Sequence, residues 1–486
     1  MAREQKSIKK NTIYNMLKTF SSIIFPLITF PYVSRVLSPV GIGRYNFSST
    51  YVGYFSLIAS LGITTYAIRE CAAVRDDQEK LDKVSSQIFS INICTMLIAY
   101  AALLVSLVFF RKLDSYRNLI IIFSSNILFT ILGADWINSA FEDFRYITLR
   151  TFGMQLISLI CIFIFVRKPS DVINYALITV LASGGANILN MFYRRRFCRM
   201  HFIKDMRWKK HMPGITMLFV MLLAQSILYN TDVTMIGLLK TDYDVGLYST
   251  AYKIKNIIAQ VVASILFVLL PRLSTLYSDK DYSKINPLLQ KTLQFMLGLG
   301  LPSIVGTIVL ARPIIKLVGG SDYTYAAVYL RLLMISFLVS LFGSSFIGNI
   351  ILLPSKKEKY FMQACLLAAV INVILNYLFI IKIGPEGAAI ASIICEIVML
   401  IYMIPHVEKE IDIGSIKKLI SAPVIGCSVI VVCCLCLNHI NVNYWLRFIL
   451  QLVFSVLLYA FVLYAMRYEI FINAVNQLLS KIKRKN

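Results

Sequence analysis

Residues 84–110 read VSSQIFSINICTMLIAYAALLVSLVFF, 27 residues without a charged side chain. As a helix this stretch rises about 40 Å at 1.5 Å per residue, enough to cross a hydrocarbon core of about 30 Å. The same pattern recurs on both sides of it. Working outward, membrane-length apolar spans fall at 12–35, 45–69, 84–110, 117–141, 146–166, 171–193, 213–239, 246–270, 288–310, 325–353, 360–381, 386–404, 415–437 and 444–466. These fourteen spans leave no room for a soluble domain. The fold class they imply is an all-α polytopic membrane protein.

Composition agrees. The chain is 58% hydrophobic and 15% charged, against about 25% charged residues in average soluble proteins. Its net charge of +24 does not gather in a basic domain that would bind nucleic acid. It sits between apolar spans, where basic residues mark the cytoplasmic side. Residues 3–10, 69–83, 194–210, 272–291, 356–359, 409–418 and 467–485 put about 33 of the 49 basic residues on the side of the termini. Arg111, Lys112, Arg167 and Lys168 run against that bias. Both termini are therefore expected in the cytoplasm. The apolar stretch behind the basic residues 1–10 is too long for a signal-peptide core, so it reads as a retained first helix.

The loop 194–210 carries eight basic residues and one acid. It suits anionic lipid head groups or recruitment of an anionic, membrane-bound substrate. Ten cysteines are scattered, mostly in apolar spans. The C-x-x-C within Cys433, Cys434 and Cys436 has no His or acidic neighbour, so burial as small hydrophobes is the expectation.

The two halves echo each other. Gly43-Arg-Tyr45 and Gly246-Leu-Tyr248 are 203 residues apart, as are Arg69 and Arg272. Gly133-Ala-Asp-Trp-Ile137 is matched by Gly343-Ser-Ser-Phe-Ile347, with Tyr146 and Tyr360 following. Two parallel six-helix bundles result: 1–193 and 213–404, joined by the basic linker 194–212. Helices 13 and 14 and a basic tail, 405–486, are added. A parallel repeat of this kind is a transporter architecture, with the substrate site expected between the halves.

Ionisable residues at bilayer depth cost about 2.5–3.5 kcal/mol on insertion scales and mark candidate sites. In the eighth span Ser249, Lys253, Asn256, Gln260 and Ser264 share one helical face. Lys255 points away from it and is expected to snorkel to the interface. Lys18 lies on a polar face with Asn15 and Ser22, ahead of Pro26 and Pro31, which are candidate kinks. Gln225, Tyr229 and Asp232 form a further polar face. Asp232 is a candidate for coupling or gating, or a partner for a lysine such as Lys253. Asp135 and Glu396 belong to the same class. Arg35, Arg69, Arg272 and Arg331 lie at span ends as anchors or substrate ligands. Basic groups outnumber acids, which suits an anionic substrate: arginine pairs bidentately with phosphate, and lysine acts as a point charge.

The sequence has no phosphate-binding G-x-x-x-x-G-K-[ST] loop and no H-E-x-x-H. The histidines His201, His211, His406 and His439 fall in loops or at span ends. An enzyme is not expected, nor a cofactor or metal. H+ or Na+ remains open as a coupling ion.

The segments 26–37 (PLITFPYVSRVL), 41–45 and 62–70 (GITTYAIRE), then Arg75-Asp-Asp77, carry a family likeness. So do Ala134-Asp-Trp136, 142–147 (EDFRYI), Thr231-Asp232, Val245-Gly-Leu-Tyr248, Ala251-Tyr-Lys-Ile254 and Leu270-Pro-Arg272. With these motifs nearly the whole chain resembles the polysaccharide-repeat-unit flippases (O-antigen, capsule, exopolysaccharide) of the multidrug/oligosaccharidyl-lipid/polysaccharide exporter superfamily. The resemblance implies a MATE-like fold with a central cationic cavity in a bacterial plasma (inner) membrane. It implies an undecaprenyl-pyrophosphate-linked oligosaccharide as cargo, moved from the cytoplasmic to the outer leaflet for cell-surface polysaccharide synthesis. Polymerase and chain-length proteins are open as partners. On this reading Arg69 and Arg272 capture the pyrophosphate and Lys18 and Lys253 neutralise it. A lipid II flippase and a cation-coupled multidrug exporter of the same superfamily are the alternatives, the second disfavoured by the basic bias.

Overall fold

The computed structural model describes residues 8–264 and 266–483, and among these there are helices and no strands. The chain divides into two compact units, one up to Ser249 and one from Thr250 onward.

In the first unit, α1 (Ile8–Ser60) is two limbs joined at Ser38, whose φ of 61° and ψ of 170° interrupt the helix. Pro39 follows. A residue ahead of proline is driven out of the α region, while proline itself fits a helix's first position. The loop expected between spans 1 and 2 is thus a single residue. Helical dihedrals persist through Pro26 and Pro31, so the break falls at Ser38 and not at either of them. The second limb ends at Leu61 (φ 43°) and Gly62 (φ 71°), and α2 (Ile63–Ala73) follows. Next come α3 (Gln78–Phe109) and α4 (Arg117–Gly133), which stops at Ala134 with φ 47°. Span 4 is therefore shorter than expected, and α5 (Trp136–Ala140) makes a separate turn. The unit continues with α6 (Phe144–Phe165), α7 (Val172–Tyr193) and α8 (Trp208–Leu239). α1 packs on α3, α4, α6 and α8; α7 packs on α4 and α6; α2 packs on α3, α5 and α8.

α9 (Asp242–Ala263) runs across the division. The second unit then holds α10 (Leu266–Ser278), α11 (Tyr282–Val309), α12 (Ala311–Gly319) and α13 (Ala326–Ser340). α13 continues as a π-helix over Leu341–Leu352. Then follow α14 (Glu358–Ile383), α15 (Pro385–Met403), α16 (Ile416–Asn438), α17 (Tyr444–Ala465) and the amphipathic α18 (Glu469–Lys483). α15 packs on α13, α14 and the π-helix, and α16 packs on α11 and α17.

Twelve helices among the described residues are long and apolar enough to cross a membrane. One of them, Ile24–Ala73, contains the reversal at Ser38 and so counts twice. α9 is of membrane length but is not among the twelve. Counted this way the spans number about fourteen. The interior is apolar, with Phe47, Ile88, Leu330 and Met399 fully buried, yet Val108 and Phe109 are 78% and 77% exposed. Apolar groups on the outside as well as the inside fit a protein dissolved in lipid. Cys434 is buried as expected, whereas Cys436 is exposed on α16.

The internal repeat holds in local structure. The second limb of α1 begins at Pro39 and α9 at Asp242; they end at Ser60 and Ala263; α2 and α10 begin at Ile63 and Leu266. Each pair keeps the 203-residue offset. The match of 133–137 with 343–347 spans unlike backbone: the first includes the left-handed Ala134, the second lies inside the π-helix.

Candidate functional site

Three polar clusters interrupt the apolar interior. The first lies where α1 reverses. Gly43 and Gly246 let two backbones touch: a Cβ on Gly43 would stand 1.8 Å from the Asp242 carbonyl oxygen, and one on Gly246 1.9 Å from that of Pro39. Each carbonyl thus faces a glycine Cα–H. Such contacts are worth about 0.5–1 kcal/mol each. Around them, Asn46 Nδ2 donates to Ser249 Oγ at 2.8 Å, again 203 residues apart. Asp242 accepts from Arg44 Nε at 2.9 Å and from the Tyr116 hydroxyl. Arg44 is half-exposed, so its ion pair adds only about 0.2–1 kcal/mol. Phe47 fills the space above Gly237, whose Cβ would fall 2.2 Å from the ring. One turn deeper, buried Asp232 accepts from the Tyr248 hydroxyl at 2.6 Å.

The second cluster lies at the opposite end of the first unit. Arg150 on α6, its side chain 4% exposed, donates from Nη2 to Asp135 at 2.9 Å. Asn138 Nδ2 reaches the same carboxylate at 3.1 Å and also donates to Asn190 Oδ1. Asn190 donates to the Gly133 carbonyl at 2.8 Å, tying α7 to the end of α4. Tyr146 stacks on Tyr193 at 3.5 Å, with Arg150 over the one ring and Arg196 over the other. Nearby, fully buried His211 joins three helices. Tyr66 of α2 is 2.9 Å from Nδ1 and Gln87 of α3 is 3.2 Å from Nε2. A hydroxyl donating to Nδ1 and an Nε2–H donating to Gln87 Oε1 satisfy a neutral ring.

The third cluster is in the second unit. Glu396 on α15 is buried and accepts from Ser344 at 3.2 Å. Ser344 and Ser340 are 2.7 Å apart. Lys255 is buried and interacts electrostatically with Glu396. It does not snorkel: its ammonium lies 5.2 Å from the Tyr252 ring.

The sequence candidates fall as follows. The side chain of Lys18, like those of Asn15 and Ser22, lies outside the described residues. Along the α9 stripe exposure rises from buried Ser249, through half-buried Lys253 and Asn256, to exposed Gln260 and Ser264. Arg69 is exposed, 3.5 Å from Glu70 and 5.5 Å from the Tyr66 ring. Arg272 on α10 and Arg35 on α1 are exposed. Arg331 is half-buried and donates to the Ile308 carbonyl at 3.1 Å. Asp232, Asp135 and Glu396 each take a hydrogen-bond partner and lie in three separate clusters. Arg150 escaped the sequence reading, and His211 was read only as a residue at a span end. A lone Arg one turn beyond Tyr146 was the available signal for the first.

Twelve candidate membrane helices among the described residues, an internal repeat and interior charges mark a multi-pass membrane transporter. The chain belongs to the polysaccharide biosynthesis protein family, whose family model matches residues 8–277. The model of the lipid II flippase MurJ family matches residues 154–457. An Escherichia coli (strain K12) protein named for O-antigen transport is 22% identical over 420 residues, 84% of this chain and 99% of that one. The solved structure of lipid II flippase MurJ in an inward closed conformation superposes with a TM-score of 0.74 at 18% identity, covering 93% of this chain and 98% of that one. An inward-facing multidrug resistance MATE family transporter of the MOP superfamily gives 0.54 at 16% identity over 82% and 94%. The MATE-like fold expected from the sequence is the fold observed.

Proposed function

We propose that this protein is a flippase for lipid-linked oligosaccharides. It carries undecaprenyl-pyrophosphate repeat units from the cytoplasmic to the outer leaflet of a bacterial inner membrane for surface polysaccharide synthesis. The observation that carries the reading is the family match over residues 8–277 in a chain with the fold of a lipid flippase. Its excess of interior and boundary cations supports an anionic cargo. The protein moves its substrate without converting it, and both termini lie in the cytoplasm.

In this reading Arg69 and Arg272 meet the pyrophosphate first. They sit on the repeat-related helices α2 and α10, at the cytoplasmic end, and both are exposed. Lys18 and Lys253 neutralise it further in, and Asn256 and Gln260 on the Lys253 face contact the sugars. Arg35 and Arg331 serve as boundary anchors for the same anion. Asp232, Asp135 and Glu396 couple or gate the cycle, with H+ or Na+ as the coupling ion. The membrane potential favours the direction, because negative charge leaving an inside-negative cell gains about 2.3 kcal/mol per charge per 100 mV. Polymerase and chain-length proteins are proposed partners that take up the product.

The test is flipping of a fluorescent polyprenyl-pyrophosphate oligosaccharide in proteoliposomes. Wild type is expected to expose the glycan in the outer leaflet and Lys253→Glu to lose at least 10-fold of the rate. Normal flipping by that variant removes Lys253 from the path. The MurJ-family match over residues 154–457 favours one second reading, lipid II as cargo. Substituting lipid II in the same assay separates the two.

A further inference from the structure

The cluster at the reversal of α1 has an internal symmetry that a simple packing contact does not need. Three pairs of residues at the 203-residue offset gather there: Gly43 and Gly246, Pro39 and Asp242, and Asn46 and Ser249, of which the first and last pairs touch directly. Gly43 faces the Asp242 carbonyl and Gly246 faces the Pro39 carbonyl, so each repeat presents the same surface to its copy. A two-fold contact of this kind is self-complementary. Between the two segments it is made from backbone, one amide–hydroxyl bond and one half-exposed ion pair, with the Tyr116 hydroxyl on Asp242 at its side. The nearest seated side chain, Phe47 on Gly237, lies just beyond it. Any side chain at either glycine would strike backbone, which cannot swing aside.

We infer that residues 39–46 and 242–249 are the two jaws of a latch that must part in every transport cycle, closed by the paired glycines and not by the Arg44–Asp242 ion pair. The inference rests on the flippase reading and adds to it the residues that set the closed state.

The experiment uses the full chain with Asn46→Cys and Ser249→Cys and a protease site placed at the exposed Lys204. Oxidant or a short bis-maleimide joins the introduced thiols. After cleavage, a linked protein keeps its halves together on a denaturing gel, and the single-cysteine variants control for the native thiols. Linked protein in proteoliposomes is expected to lose at least 10-fold in flipping rate and, for the disulfide, to recover on reduction. Gly43→Val and Gly246→Val are each expected to slow linking at least 5-fold, and Asp242→Asn less than 2-fold. If the valine variants do not insert, Gly43→Ala and Gly246→Ala are read instead, since a Cβ already meets the carbonyl. Linked protein that flips at the unlinked rate overturns the latch. So does Asp242→Asn slowing linking as much as the glycine variants. Failure of the unlinked protein to flip any lipid-linked glycan defeats the flippase reading. The glycine latch is then still judged by the linking rates, and by whether a membrane potential changes maleimide labelling at position 46.

Discussion

The two ends of the first unit are built from different chemistry. Where α1 reverses at Ser38, the polypeptide closes on itself through glycine, backbone and Phe47, with one half-exposed ion pair. At the opposite end it is held by a buried arginine, a buried histidine and stacked tyrosines. The first kind of contact is mostly backbone, and its one ion pair is half-exposed and screened. The second is strong, charged and costly to break, because a buried charge left alone loses its solvation as well as its partner. One end is suited to opening and the other to holding shape, and substitutions at the two ends should differ in kind.

The largest effect is expected at Arg150. Removing one partner of a buried ion pair costs about 3–5 kcal/mol. Asp135 is one-third exposed, so Arg150→Met belongs at the low end, about 3 kcal/mol. The check is the melting temperature of purified protein in detergent. A fall no larger than that of a surface Arg→Met control would mean that solvent already screens the pair. His211→Leu comes next. It strips Tyr66 and Gln87 of their partner, at about 1–3 kcal/mol for groups left buried and unbonded. His211→Asn, which can still accept from one and donate to the other, is expected to recover part of the loss.

At the reversal end, Gly237→Ala drives a methyl into the Phe47 ring. Overpacking of this kind costs about 1–3 kcal/mol. Gly237→Ala combined with Phe47→Leu should regain most of it, and a double-mutant cycle on melting temperature reads the coupling. Additive losses would show that the two residues do not share one space.

How much of this was legible in sequence follows from range. Hydropathy sums over some twenty neighbouring residues, so all fourteen spans could be read, and the offset between Gly43 and Gly246 pointed to a repeat. What was not legible depends on partners far along the chain. Lys255 looked like a snorkelling residue because Glu396 lies 141 positions away in sequence, on α15. Arg150 went unremarked in the sequence because its carboxylate precedes it across the α5 turn. That the two repeat glycines touch needs the fold, since periodicity places them on helices but not against each other. The reversal at Ser38 rests on one residue ahead of a proline, too local a signal to separate from an ordinary short loop.

The smallest expected effect compares two carboxylates that precede helices: Asp77 caps the first turn of α3, whereas Asp171 caps the turn ahead of α7. Lys80, through its side chain and its backbone N–H, holds the Asp77 carboxyl at the start of α3 below its ordinary range. The backbone N–H groups of Arg167 and Lys168 do the same for Asp171 ahead of α7. Both pKa values are depressed in the folded chain. Each cap therefore contributes at neutral pH and is lost as pH falls below about 4, the unfolded carboxylate range. Salt should separate them. At 1 M the screening length is about 3 Å, which weakens the exposed Lys80–Asp77 contact but not hydrogen bonds from backbone to carboxylate. Hydrogen exchange is expected to quicken at the Lys80 amide of α3 and to stay constant at the Arg167 and Lys168 amides when salt is raised at pH 7. Equal quickening at both would mean that the Asp171 cap also depends on the charge of Lys168 and not on its N–H.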